Sequence, residues 1–247
     1  MASLRASSYD IEMAVSSTKA ASAIDARESA AYTLAEGARY LRLPGATLRS
    51  WVVGRDYPTA DGGGRFPPLI RPASRRPPLL SFWNLIEAHV LRSLRTEHGV
   101  SVKALRDALA YAERELGIDR LLLRSELRTS AGEVFLDRYG VLISLSASGQ
   151  LAMRRMFAEH LKRVEWDASR FPVRLFPFLS AAAPTEERSI AIDPRIASGR
   201  PVVLRKGIST SAIAERIDAG EAVEDVAADY ELGRTEIEQA VVYERAA

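Results

Sequence analysis

Between Gly54 and Leu80 the chain carries six prolines (58, 67, 68, 72, 77 and 78) and the run Gly62-Gly63-Gly64. Proline lacks the amide donor of a helix interior and clashes with the preceding turn, so this segment must separate whatever helices flank it. Leu69-Ile70-Arg71 and Leu79-Leu80 are its two short apolar runs, and they predict the strands of a hairpin with Arg71, Arg75 and Arg76 near the tip. The three glycines lack the Gly-Lys-Ser/Thr ending of a phosphate loop and read as a flexible turn.

Helices are predicted on both sides of this break. Thr33-Leu34-Ala35-Glu36 has capping-box spacing, with Leu34, Ala38 and Leu41 on one face behind it. Arg42-Leu43-Pro44-Gly45 interrupts the pattern, after which Leu48, Trp51 and Val52 recur at i, i+3 and i+4. Helix, four-residue turn, helix is a helix-turn-helix pattern, and the arginine-bearing hairpin after it reads as a wing. Beyond the break, Ser81 caps a helix with Phe82, Leu85, Ile86, Val90 and Leu94 inward, and Ser101 caps another through Leu116.

From Arg120 the period becomes two, predicting a small antiparallel sheet from strands 121–127, 133–137 and 142–146. Ser148 then opens a helix that runs to Val164, followed by an extended, proline-broken stretch. Residues 181–187 read as a linker. The tail offers short strands at 189–192 and 201–204, then helices starting near Ser211, Val223 and Thr235, with Gly220 and Gly233 as stops. The fold class is therefore α+β, mainly helical. The expected parts are a flexible arm (1–30), a winged helix-turn-helix (31–118), a central sheet and helix (119–180), the linker, and a C-terminal helical dimerisation domain (188–247). The arm holds seven Ser and eight Ala in thirty residues, too few large apolar groups to offset chain entropy.

Charge separates the two ends. Residues 33–100 carry ten Arg against five carboxylates, whereas residues 185–247 carry eight basic against thirteen acidic side chains. The first segment suits a polyanion and the second does not. On the second predicted helix Thr47, Arg49 and Ser50 face outward, with Arg49 the first choice for a base or neighbouring phosphate and Arg55, Arg65, Arg71, Arg75 and Arg76 for phosphates. The bland alternative is an ordinary helical pair with a solvated arginine face. Without Cys, thiol catalysis, disulfides and Cys-zinc sites are excluded. No metal or cofactor is expected, and His89, His98 and His160 lack neighbours at metal-ligand spacing, so no enzyme is indicated. No apolar run of membrane-spanning length or secretory signal appears, and the cytoplasm is the simplest compartment.

The segment from Tyr32 to Trp51, with its Thr47-Leu48-Arg49 step and following aromatic, resembles the helix-turn-helix of MerR-type regulators. The tail, with Asp193, Pro194, Ile196, Gly199, Pro201 and Val202 at motif positions, is similar to a short domain of unknown function found in VapB-type antitoxins. Arg205-Lys206 stands where that family usually has a Gly-Thr pair. The combined resemblance implies an antitoxin of a type II toxin-antitoxin system, a homodimer that neutralises a PIN-domain ribonuclease toxin and represses its own operon by binding operator DNA. The rival reading is a stand-alone MerR-like regulator responding to a small ligand or protein.

Two further segments bear on partners. Residues 223–244 have the outline of a second helix-turn-helix, but Glu236, Glu238 and Glu244 on its second helix would repel phosphate, so dimerisation suits it better. Trp166, Arg170, Phe171, Arg174, Phe176 and Phe178 are residue types that dominate interface hot spots, and they mark either the toxin-docking surface or core between sheet and helix.

Overall fold

In a computed structural model, residues 25–59, 62–96, 102–115, 117, 119–123, 161–178 and 188–246 are described. Helices and small antiparallel sheets alternate along them, an α+β arrangement.

The capping box forms as its residues dictate. After strand β1 (Tyr32–Thr33), the Thr33 hydroxyl accepts from the Glu36 amide at 3.1 Å and the Glu36 carboxylate accepts from the Thr33 amide at 2.8 Å, starting α1 (Leu34–Leu41). Thr33→Ala removes one half of this exchange and is expected to cost about 1 kcal/mol in urea denaturation, whereas a loss under a few tenths would mean the cap is dispensable. Helix α1 ends on Arg42 in the left-handed conformation, and α2 (Gly45–Val53) begins after three intervening residues, Arg42, Leu43 and Pro44. Leu48, Trp51 and Val52 are buried, as their spacing predicts.

The proline-rich break folds differently from its prediction. The hairpin nearest α2 is β2 (Arg55–Thr59) with β3 (Gly62–Phe66), so the glycines lie in a strand rather than a loose turn. Tyr57 explains this: its ring stacks on Phe66 at 4.1 Å and covers Gly64, where a Cβ would meet the ring at 2.4 Å. Leu69 and Ile70 form no strand. Their amides donate to the Trp51 carbonyl at 2.7 and 3.0 Å, satisfying the end of α2. Leu79-Leu80 is a strand, β5 (Pro78–Leu80), flanked by β4 (Ser74–Arg75) and β1 in a three-stranded antiparallel sheet.

Helix α3 (Phe82–Thr96) starts where the Ser81 hydroxyl accepts from the Asn84 amide, and its side chains from Phe82 to Leu91 are all buried. It is thus the axis of the main core rather than an amphipathic surface helix. Helix α4 (Val102–Glu115) follows. Leu121–Leu123, predicted as strand, is one turn of 3₁₀ helix with all three leucines buried, so no alternating face exists. The expected strands from 124 to 146, most of the helix from 148, the linker and the arm to residue 24 lie outside the described residues.

Val164, predicted to end that helix, instead opens β6 (Val164–Trp166), which pairs with β7 (Pro172–Leu175). Leu161, Val164, Leu175 and Ile192 complete the same core as α1 to α3. The C-terminal region is a three-stranded antiparallel sheet of β8 (Ile190–Ala191), β9 (Val202–Val203) and β10 (Ile208–Ser209), with α5 (Thr210–Asp218), α6 (Val223–Tyr230) and α7 (Arg234–Arg245) around a second core. Gly233 caps the start of α7 rather than stopping α6, which ends on left-handed Glu231. Arg205 and Lys206, in the β9–β10 turn, hold Glu236 and Glu231 and so tie that turn to the α6–α7 junction. Gly199 joins the two regions: at φ 78° its ideal Cβ would stand 2.0 Å from the Tyr32 hydroxyl oxygen.

Candidate nucleic-acid interface

Helix α2 leaves one face uncovered because only Leu48, Trp51 and Val52 of its residues are buried. Arg49 is exposed, and Thr47 and Ser50 beside it are half-buried. Val53 stands one turn beyond Arg49 on the same side and opens into a groove of about 350 Å³, lined by Val52, Val53, Arg65, Pro68, Arg71 and Arg75 among others. Three predicted arginines from three different segments thus converge on the groove beside the end of α2. Arg55, at the start of β2, and Arg76, between β4 and β5, are exposed but do not line it.

These guanidiniums differ in how they are held. Arg65 donates to Asp56 at 3.1 Å and to the Val53 carbonyl at 2.8 Å, which fixes the hairpin against the end of α2. Arg71 pairs with Glu113 of α4 at 2.7 Å, with both side chains more than half exposed. A pair so solvated is worth about 0–1 kcal/mol, so Glu113 yields readily to a competing anion. Sequence reasoning passed over both Glu113 and Arg106. Arg106 lies over the Phe66 ring at 4.8 Å and donates to the Pro67 carbonyl at 2.9 Å, anchoring the hairpin to α4. Neither carries a local signal, because each acts across a long loop.

The aromatic segment proposed for partner contact is engaged within the fold. Phe176 is 2% exposed, Phe171 stacks on Trp83 at 5.1 Å, and Phe178 stacks on His89 at 5.8 Å. Trp166 packs half-buried against the main core. Arg174 bridges Glu165 at 2.7 Å and fully buried Asp193 at 3.1 Å, whereas Arg170 is exposed in the β6–β7 turn. Of the two readings, the geometry of Phe171, Phe176 and Arg174 is that of core and internal pairing.

His89 is buried on α3, while His98 and His160 fall outside the described residues. Among the described residues no group of three or more His, Cys, Asp or Glu could hold a metal ion, and no helix is long and apolar enough to cross a membrane.

Comparison with known proteins places this geometry among relatives. Residues 190–243 match the family described as "Protein of unknown function (DUF433)". Over 218 residues the chain is 28% identical to the Mycobacterium tuberculosis protein named "Putative antitoxin VapB45", covering 81% of this chain and 87% of that one. It is 26% identical over 217 residues to "Uncharacterized protein Rv2308" of the same organism, covering 86% and 89% respectively. The crystal structure of Rv2018 from Mycobacterium tuberculosis has the same fold, with a TM-score of 0.61 and 23% identity over 86% of this chain and 98% of that one. The chain is thus similar to mycobacterial proteins over more than four fifths of its length, with the DUF433 match confined to its C-terminal region.

Proposed function

We propose that this protein is the antitoxin of a type II toxin-antitoxin pair, a non-enzymatic homodimer that binds operator DNA and neutralises a PIN-domain ribonuclease toxin. The observation that carries the DNA half is the grouping of Arg65, Arg71 and Arg75 in one groove beside the Arg49 face of α2. In this reading α1 and α2 are a helix-turn-helix and β2–β3 is its wing. Arg49 reads a base edge or adjacent phosphate from the major groove with Thr47 and Ser50 beside it, and Arg55, Arg65, Arg71, Arg75 and Arg76 hold phosphates. The toxin half is supported by likeness to a protein named as an antitoxin. Neutralisation is then stoichiometric occlusion of the ribonuclease, and the anionic C-terminal region serves assembly rather than DNA.

Arg49→Ala is expected to weaken binding to the DNA upstream of the protein's own reading frame by about 1–3 kcal/mol, with folding unchanged, as read in a gel-shift titration. The toxin half is tested by co-expression with the adjacent gene. Rescue of growth and a co-purifying complex are expected, and an adjacent product that neither slows growth alone nor co-purifies would contradict it.

A further inference from the structure

The helix pairs α1–α2 and α6–α7 are one local structure written twice. Each opens with an eight-residue helix and ends it on a left-handed residue, Arg42 at φ 52° or Glu231 at φ 51°. The leucine that follows donates its amide back into the helix in both, Leu43 to the Ala38 carbonyl and Leu232 to the Ala227 carbonyl, each at 2.9 Å. The second helix then begins after one capping residue, Pro44 or Gly233. Counted from its start, Leu48, Trp51 and Val52 of α2 correspond to Ile237, Ala240 and Val241 of α7, and all six are buried. What differs is charge. Glu231 stands for Arg42, and Glu238 stands for Arg49 and is paired at 2.8 Å with Arg234.

The two pairs close on each other end to end. The Arg42 guanidinium donates to the carbonyls of Phe178 at 2.8 Å, Ala246 at 3.1 Å and Tyr243 at 3.2 Å, and it lies over the Tyr243 ring. In return the buried Tyr243 hydroxyl donates to the Tyr40 carbonyl in the last turn of α1 at 3.1 Å. Beside them Arg39 pairs with Glu244 at 3.0 Å, and Glu244 also accepts from the buried Thr210 hydroxyl. The last carbonyls of a helix have no partner within it, so each helix end supplies the donor that the other lacks. Burial pushes the Tyr243 phenol up, which favours the protonated form that donates this bond.

We infer that the C-terminal helix pair is a charge-inverted copy that braces the N-terminal one, and that Arg42 and Tyr243 are positioning residues for DNA reading. The inference rests on the DNA reading above. Helix α2 starts two residues beyond Leu43 with no side-chain cap, so the direction in which Arg49 projects is set by the turn that Arg42 holds. Tyr243 itself is 2% exposed and can influence DNA only through α1.

The test uses the full chain, with the DNA upstream of its own reading frame and a scrambled fragment of equal length at one salt concentration. Tyr243→Phe removes a single hydroxyl without altering charge. It is expected to weaken binding to the upstream fragment roughly fivefold, the equivalent of one hydrogen bond, while binding to the scrambled fragment is unchanged. Arg42→Ala is expected to lower the same ratio more than tenfold, with partial recovery in Arg42→Lys, which restores a donor but not the planar fork. Equal losses on both fragments, or no loss in either folded variant, would overturn the positioning role. Amide exchange over residues 43–53 is followed in parallel and is expected to quicken in Tyr243→Phe. If exchange quickens but the wild type binds neither fragment, the brace stands and the DNA reading fails. If the wild type binds and exchange is unchanged, the brace fails and the DNA reading stands.

Discussion

Trp51→Ala is expected to destabilise the protein by about 3–5 kcal/mol, the cost of emptying a fully packed aromatic site. Trp51 has no exposed surface and belongs to the core built around α3. Its position also matters to the backbone, since its carbonyl takes both the Leu69 and Ile70 amides, so a collapsing cavity disturbs the end of α2 and the segment that caps it. Domains of ordinary stability hold about 5–15 kcal/mol, so a large share of the total is at stake. Trp51→Phe separates volume from hydrogen bonding. Among the described residues the buried indole nitrogen has no hydrogen-bond partner, so losing its N–H breaks no bond among them and the smaller loss of volume is what remains. Urea denaturation should place the Phe variant well above the Ala variant. Similar midpoints for the two would mean that this site does not govern the core.

Asp193→Ala is expected to cost about 3 kcal/mol, because it strands a guanidinium that the fold has largely withdrawn from water. The Asp193 side chain is fully buried and accepts from Arg174 at 3.1 Å and from the Arg195 side chain and amide at 2.9 to 3.1 Å. The cost falls at the lower end of the range for broken buried pairs because Arg174 keeps Glu165 and Arg195 is largely solvated. Arg195→Ala should therefore be much milder. Burial pushes the Asp193 carboxyl up, but hydrogen bonds from Arg195 and the charges of Arg195 and Arg174 outweigh it and hold the group below its ordinary value. A carboxyl lowered by folding stabilises above its unfolded pKa, and that increment fades as pH falls through the folded value. The wild type should thus lose stability from roughly pH 4 downward, with Asp193→Asn lacking that component of the loss. Identical acid profiles for wild type and Asp193→Asn would contradict the assignment.

How much of this was legible in the sequence depended on how local its cause was. The Thr33–Glu36 cap and the Leu48, Trp51, Val52 face answer to spacings of three and four residues, and both stand as read. The hairpin at 55–66 was hidden because Pro58 and three glycines look like a turn. What makes them a ribbon is Tyr57 stacked on Phe66 and Arg106 reaching over from α4. Leu121–Leu123 misled in the opposite sense, since alternation was read into a run that the core takes up entirely. Helix α3 showed one apolar face, yet Asn84, Glu87 and His89 are buried as well. Asn84 donates to Glu87, and Arg120 from beyond α4 satisfies the same carboxylate at 3.0 Å. Arg49 could be chosen because Leu48, Trp51 and Val52 face inward at i, i+3 and i+4, which leaves it on the outward side of the helix. The meeting of Arg65, Arg71 and Arg75 in one groove could not, because proline-bounded turns decide where each one points.

The central claim, that the α2 face and its neighbouring arginines read DNA, is tested most directly by a salt titration of the full-length protein against the DNA upstream of its own reading frame. The account predicts tight binding at low salt, falling steeply as salt rises with a log–log slope of about −0.9 for each phosphate neutralised. Arg75→Ala should make that slope shallower by about one unit and weaken all sequences alike, while Arg49→Ala weakens the upstream fragment above others. Absence of binding at low salt, or binding indifferent to both substitutions, would contradict it.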